Sequence, residues 1–508
     1  MKLATAGAAT IACAAAPASA PAAPIGAYTT HGAYTFASAP NLHPPKLSTD
    51  VATQTRKLAP GDFLVANFPN LTLTEPAHGA GMKLVGQSGP LILDAHLQPV
   101  WLDPVPTDVV AMDLKQQQYQ GKPVLTWWQG GLTSTGAPTS GQVEVVDQHY
   151  RTIATITGQD GWTISEHEAV ISGADVWVTA YKFVPINLSA YGGLADGILY
   201  DAAVQEYDLR TGKLVSTWDA NAHIPLSQSK QPPSAKPGPT GAAIPWDAYH
   251  VNSIQVTGSG TFLVSMRNEW AAYLVDIKTG KIEWTLSANA KISTFKLPAA
   301  GAFEWQHDVE LHPGNVVSIF DDACCELEPS LQFGTPSGPA RGLVLKLDIA
   351  THTASFVAQY VLNPNLHTAF LGNTQLLGDG NVAIGWGSQP FFSEFSKSGK
   401  LLLDARWPLP DLSYRAYVDQ WVGKPVTAPS GAAHVAHDKA IVYASWNGAT
   451  QVSAWRVLAG ANPSKLKLVA TKARSGFETA IALQGTFKSF KVQAVNAKRK
   501  VIGTSKGF

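Results

Sequence analysis

Three histidines of this 508-residue chain stand in similar company. They are His167 in Ser165-Glu166-His167-Glu168-Ala169-Val170, His250 in Trp246-Asp247-Ala248-Tyr249-His250-Val251-Asn252-Ser253, and His307 in Glu304-Trp305-Gln306-His307-Asp308-Val309. Each precedes a run of strand-forming residues. A neutral imidazole is a competent nucleophile near neutral pH, and a protonated one can act as a general acid. Asn252 lies two residues beyond His250, so an extended chain puts both on one side. From Asn252 the chain reads strand, Gly258-Ser259-Gly260 turn, strand, and such a hairpin returns Arg267 toward Asn252. Arg267 offers a planar fork of permanent charge and Asn252 a neutral donor. Together these types suit a transferred group that carries charge on several oxygens.

Each residue also has a plainer reading. His307 and His250 could bond a neighbouring structural unit, Arg267 could pair with Glu269 or Asp308, and His167 could be a surface residue between two glutamates. Trp127, Trp128, Trp305 and Trp386 could stack an aryl group, although packing is the default role of tryptophan.

The elements that would position these groups are strands. Helical periodicity is nearly absent, and short runs rich in Val, Ile, Leu, Tyr and Trp recur between Gly, Asp, Asn and Pro. One hairpin pattern repeats: strand, Asp or Ser, polar turn, strand. Its anchors are Asp94, Asp147, Asp208, Asp276, Asp348 and Ser396, at intervals of 53, 61, 68, 72 and 48 residues. A side-chain oxygen at that point bonds the turn's own backbone. A unit of this length carrying about four strands is a propeller blade. The sequence therefore predicts an all-β, six-bladed β-propeller over 59–450, with seven blades as the next choice. A degenerate seventh hairpin near 453–470 predicts that residues 451–508 either close the ring or form a small C-terminal β unit. Residues 21–58 and 226–244 read as Pro-rich segments outside the blades.

With the histidine segments in place, the chain resembles bacterial arylsulfotransferases, especially the branch shared by actinobacteria and fungi. The resemblance runs from Gly89-Pro90-Leu91 through Thr126-Trp127-Trp128 and the histidine segments to Gly372-Asn373-Thr374-Gln375, ending near Tyr443-Ala444-Ser445. It implies transfer of a sulfuryl group from a phenolic sulfate ester to a phenol, through a sulfated histidine and without a nucleotide donor or other cofactor. By position it implies His307 as nucleophile, with His250, Asn252, Arg267 and His167 around the sulfuryl group, and Thr374 as a weaker substrate-binding match. His250 and His167 remain alternatives for the general acid. Unlike the enterobacterial-type members, the chain has an adjacent Cys324-Cys325 pair, free to be a disulfide or two thiols. Two other readings stand beside this one: a metal-dependent propeller hydrolase using the three histidines and Asp308, and a non-catalytic binding scaffold. Convergence of the histidines would separate chemistry from scaffold.

Composition narrows the rest. The 37 basic and 37 acidic residues cancel without forming runs, which argues against a nucleic-acid partner. Residues 1–20 begin with Lys2 and an Ala-rich apolar stretch, and read as a signal peptide for a secreted or cell-envelope protein; Cys13 in a weak lipobox is the lesser alternative. No later segment has the length and apolarity of a membrane span. No metal site of finger-like spacing is present.

Overall fold

A computed structural model describes residues 32–49, 57–69, 84–133, 137–238, 240–325 and 334–508. The expected signal peptide and Cys13 lie outside the described residues.

The chain forms a six-bladed β-propeller followed by a C-terminal pair of sheets. Blade two holds Val110–Tyr119, Lys122–Leu132, Pro138–Val146 and Thr152–Thr157, in that order from the centre outward. Blade three runs from Thr163–Ser172 to Lys213–Asp219, and blade four from Val251–Val256 to Ile282–Ser287. Blade five runs from His307–His312 to Thr353–Tyr360, and blade six from Asn373–Leu376 to Leu401–Arg406. Blade one is composite. Its three outer strands come from the start of the chain, Asp62–Pro69, Gly89–Leu93 and Pro99–Leu102, and its innermost strand is Asp411–Asp419. That pairing closes the ring. The strands after it, from Ser430–Ala436 to Val501–Thr504, build two sheets of their own, so this unit begins near 430 rather than 451.

The local chemistry of the turns explains the blade count. Each of the six hairpin anchors sits between the third strand of a blade and its outermost strand. Asp276 Oδ1, for example, accepts from the Thr279 amide at 2.7 Å and from its hydroxyl at 2.6 Å, and Asp208 does the same with Thr211. The seventh hairpin, Ala454–Gly460 with Lys467–Ala473, belongs to the C-terminal unit.

Packing is between blades. A separate cluster of buried apolar side chains fills each of the six blade-to-blade interfaces, and a seventh fills the C-terminal unit. Trp128 spans one such interface, its Nε1–H donating to the Ile164 carbonyl of the next blade at 3.0 Å. Trp127 and Trp386 are likewise buried among their blades. The Pro-rich stretch after 226 is pinned: the Lys230 amide donates to Asn268 at 2.6 Å, and Trp246 Nε1–H to the Gln231 carbonyl at 2.7 Å.

The six innermost strands pack against one another around the axis. Because they have neighbours on every side, their polar residues are buried and must find partners there. That is the setting of the histidines.

Candidate active site

His167, His250 and His307 come together at one mouth of the channel. His167 lies within the inner strand of blade three, His250 just before that of blade four, and His307 opens that of blade five. Ring centroids are 4.9 Å apart for His167 and His250, 5.9 Å for His250 and His307, and 6.1 Å for His167 and His307. Tyr414, from the ring-closing strand, stands edge-on to both His167 and His307. His167 and His307 are buried, while the His250 side chain is 23% exposed and marks the side open to solvent.

The local backbone is bent to achieve this. His250, Trp305, Asp308 and Leu371 all hold left-handed φ values, from +51° to +70°, although none is glycine. Such conformations cost on the order of 1 kcal/mol each and persist where the surroundings impose them. At His250 the cause is visible: Asp247 Oδ1 accepts its amide at 3.0 Å while Oδ2 takes the ring Nδ1 at 2.5 Å.

His307 is held in the same way by a carboxylate the sequence reading did not single out. Its Nδ1 donates to Asp322 Oδ2 at 2.7 Å, and the Thr368 hydroxyl donates to Asp322 Oδ1 at 2.9 Å. Burial, then the nearby His250 and Arg267 charges, hold the His307 imidazole well below its ordinary pKa, so the ring is neutral. With Nδ1–H committed to Asp322, the lone pair is on Nε2, where it accepts the Leu371 amide at 3.2 Å. Attack by Nε2 on a ligand requires that bond to be given up. Asp322→Asn is expected to reduce kcat by about three to four orders of magnitude, because an amide at Nδ1 can impose the wrong tautomer. Circular dichroism of the variant should match wild type; a variant with unchanged kcat would show that Asp322 has no such role.

Arg267 is buried, and its guanidinium is already engaged. Nη2 donates to the carbonyls of Ala369 at 2.8 Å and Cys325 at 3.0 Å, and Nη1 to Asn268 Oδ1 at 2.7 Å. Among the described residues Nε has no hydrogen-bond partner, and the group lies 4.8 Å over the Trp305 ring. It pairs with neither Glu269, which takes the Tyr273 hydroxyl, nor Asp308. Cys324 and Cys325 form a disulfide in this wall. Asn252 is fully buried, its amide donating to the Gln306 carbonyl at 2.6 Å, one residue before His307. Thr374 gives its hydroxyl to Ile319 and its amide to Asp308, joining blade six to blade five.

Beneath the histidines lies a charged hub, also unremarked in the sequence reading. Arg415 is fully buried on the closing strand. Its guanidinium reaches Glu168 at 2.7 Å, Asp113 at 3.3 Å, Asp308 at 3.5 Å and the Asn252 carbonyl at 2.8 Å. Lys115 pairs with Asp113 and Glu168 beside it.

One ring nitrogen from each of the three histidines lies within 4.8 Å of those of the other two, a nearness compatible with a metal ion as well as with one small polar group. Arg267 and Arg415 both press the neighbouring imidazoles toward neutrality, as cations do, and a neutral ring serves as a nucleophile or as a ligand.

The family model described as Arylsulfotransferase (ASST) matches residues 115–407, more than half of the chain and all three histidines. The chain belongs to the arylsulfotransferase family. Family membership makes it an aryl-sulfate sulfotransferase enzyme acting on small aryl substrates. No curated protein matches it in sequence. Among solved structures it is similar to a protein of unknown function from Bacteroides caccae, at 11% identity over 70% of this chain and 98% of that one, with a TM-score of 0.39. A streptogramin B lyase matches at 9% identity over 61% of this chain and 72% of that one, with a TM-score of 0.31. Likenesses this distant carry no weight for fold or reaction; the propeller stands on its own sheet topology. Among the described residues no helix is long and apolar enough to cross a membrane.

Proposed function

We propose that this arylsulfotransferase-family enzyme moves a sulfuryl group from a phenolic sulfate ester to a phenol through a sulfated His307, without a nucleotide donor. The observation that carries the reading is the state of His307: buried, neutral, fixed at Nδ1 by Asp322, with its lone pair on Nε2 and its ring beside those of His167 and His250.

Nε2 attacks sulfur, the sulfur–aryl oxygen bond breaks, and the phenolate departs. The sulfated ring carries a positive charge that Asp322 offsets through Nδ1–H. An acceptor phenol then attacks sulfur as it gives up its hydroxyl proton, which replaces the one taken up by the departed phenolate; the N–S bond breaks, and His307 returns neutral. In this reading His250, partly exposed, stands on the side by which the aryl groups enter, and Arg267, whose charge is felt at His307, offsets negative charge on the sulfuryl oxygens. Asn252 acts through position, by tying blade four to the segment that precedes His307.

The test is mass spectrometry of the protein after exposure to 4-nitrophenyl sulfate without acceptor. One sulfuryl group is expected on the peptide containing His307, lost again when a phenol is added. Label on another residue, or none despite turnover, would remove His307 from this role. We also read the chain as secreted or resident in the cell envelope, which N-terminal sequencing of the protein from its host would check.

A further inference from the structure

The three histidines are not equivalent. His250 and His307 each set Nδ1 against an aspartate, at 2.5 and 2.7 Å. His167 sets Nδ1 against the Ser165 hydroxyl at 2.6 Å, with Glu166 Oε1 at 3.3 Å. Ser165 Oγ in turn lies 3.2 Å from Glu166 Oε2. A serine hydroxyl both donates and accepts, so Glu166, Ser165 and His167 Nδ1 form a continuous hydrogen-bonded chain ending on the ring. All three residues are buried, at 5%, 1% and 3% exposure, so water does not compete for these contacts.

We infer that Glu166, acting through Ser165, is the proton reservoir that makes His167 the general acid for the departing phenolate. This deepens the proposed sulfuryl transfer and rests on it. With Glu166 protonated, the resting arrangement has its carboxyl donating to Ser165 Oγ, the Ser165 hydroxyl donating to His167 Nδ1, and the His167 proton on Nε2. As the sulfur–oxygen bond breaks, the Nε2 proton passes to the phenolate oxygen. His167 Nδ1 takes the Ser165 proton, and Ser165 takes the proton of Glu166. Glu166 ends as a carboxylate, His167 as the other neutral tautomer, and the phenol leaves neutral. When an acceptor phenol enters, its proton runs the same course backwards and recharges Glu166. No imidazolium is needed at any stage, which suits a ring whose pKa burial has driven well below the ordinary value. At His307 the Leu371 amide on Nε2 fixes the ring proton on Nδ1; at His167 a Ser165 hydroxyl that donates to Nδ1 leaves the proton on Nε2 instead.

The surroundings of Glu166 keep the reservoir loaded. Asp247 from the loop before blade four, and the Tyr181 and Tyr200 hydroxyls from the second and third strands of blade three, face it along with His167. None of these is a cation. Burial is the main cause that pushes the carboxyl up to about 8, with Asp247 adding to it, so the group carries its proton at neutral pH. The sign follows: the protonated form works, so the step weakens as pH rises through that value.

The experiment compares two donors with one phenol acceptor. Phenyl sulfate releases a weakly acidic phenol that needs a proton; 4-nitrophenyl sulfate releases a much more acidic one that does not. Glu166→Gln, nearly isosteric, is expected to lower turnover of phenyl sulfate about 100-fold and of 4-nitrophenyl sulfate about ten-fold or less. The wild-type loss of phenyl sulfate turnover above about pH 8 should vanish in the variant. Ser165→Ala should reproduce this donor selectivity, and Ser165→Thr, which keeps the hydroxyl, should largely reverse it. Equal losses on both donors in Glu166→Gln and Ser165→Ala, as a merely structural role would give, would overturn the inference and leave the proposed function standing. A wild-type protein that transfers from neither donor would overturn both.

Discussion

Replacing His307 by asparagine is expected to lower kcat for aryl sulfate turnover by at least about 10³-fold and to abolish sulfuryl labelling of the protein. Asparagine can still donate to Asp322, so the aspartate is not stranded. What is lost is the Nε2 lone pair and the acceptor of the Leu371 amide. Leaving that buried amide without a partner costs about 1–3 kcal/mol, a modest part of the stability of a propeller this size. The fold should therefore survive while the chemistry does not. The comparison is with His250→Asn, which removes a partly exposed ring held by Asp247 and leaves His307 in place. That variant is expected to remain labelled at His307. Steady-state transfer and single-turnover labelling of the two proteins decide the matter: a His307→Asn enzyme with wild-type turnover would end the assignment.

Much of this site is legible from sequence because it rests on local chemistry. The hairpin anchors are readable because an aspartate or serine oxygen closes its own turn. The histidines are readable because each lies in or just before an inner strand in a recurring context. The partners that tune them are not. Asp322 follows His307 at a distance set by one blade hairpin, and nothing in Phe320-Asp321-Asp322 tells which aspartate turns inward. In the structure Asp321 pairs with Arg341 on the outer side, while Asp322 takes His307. The closing strand is harder still. Asp411–Asp419 is buried at eight of nine positions, so it shows none of the alternation that marks a half-exposed strand. Its partner, Asp62–Pro69, lies at the other end of the chain. Arg415 reaches the site only through that closure.

This makes Arg415 the residue with the widest reach. It bonds Glu168, which follows His167, and the carbonyl of Asn252, two residues beyond His250, and it lies within ion-pair distance, 3.5 Å, of Asp308, which follows His307. One guanidinium from the last inner strand thus reaches the segments that carry all three histidines, and ring closure and site assembly become one event. Arg415→Met is expected to destabilise the protein by about 3–5 kcal/mol, since it leaves carboxylates of Asp113, Glu168 and Asp308 buried with Lys115 as their remaining close cation. Arg415→Lys keeps the charge but not the fork, so it cannot serve Glu168 and the Asn252 carbonyl together. It should recover most of the stability in denaturant unfolding yet still transfer sulfuryl groups at least about ten-fold more slowly than wild type, because misplacement of a reacting group by about 1 Å carries a large rate cost. If the lysine variant regained activity and stability in parallel, Arg415 would matter only as a charge, and the geometric link between closure and catalysis would fall.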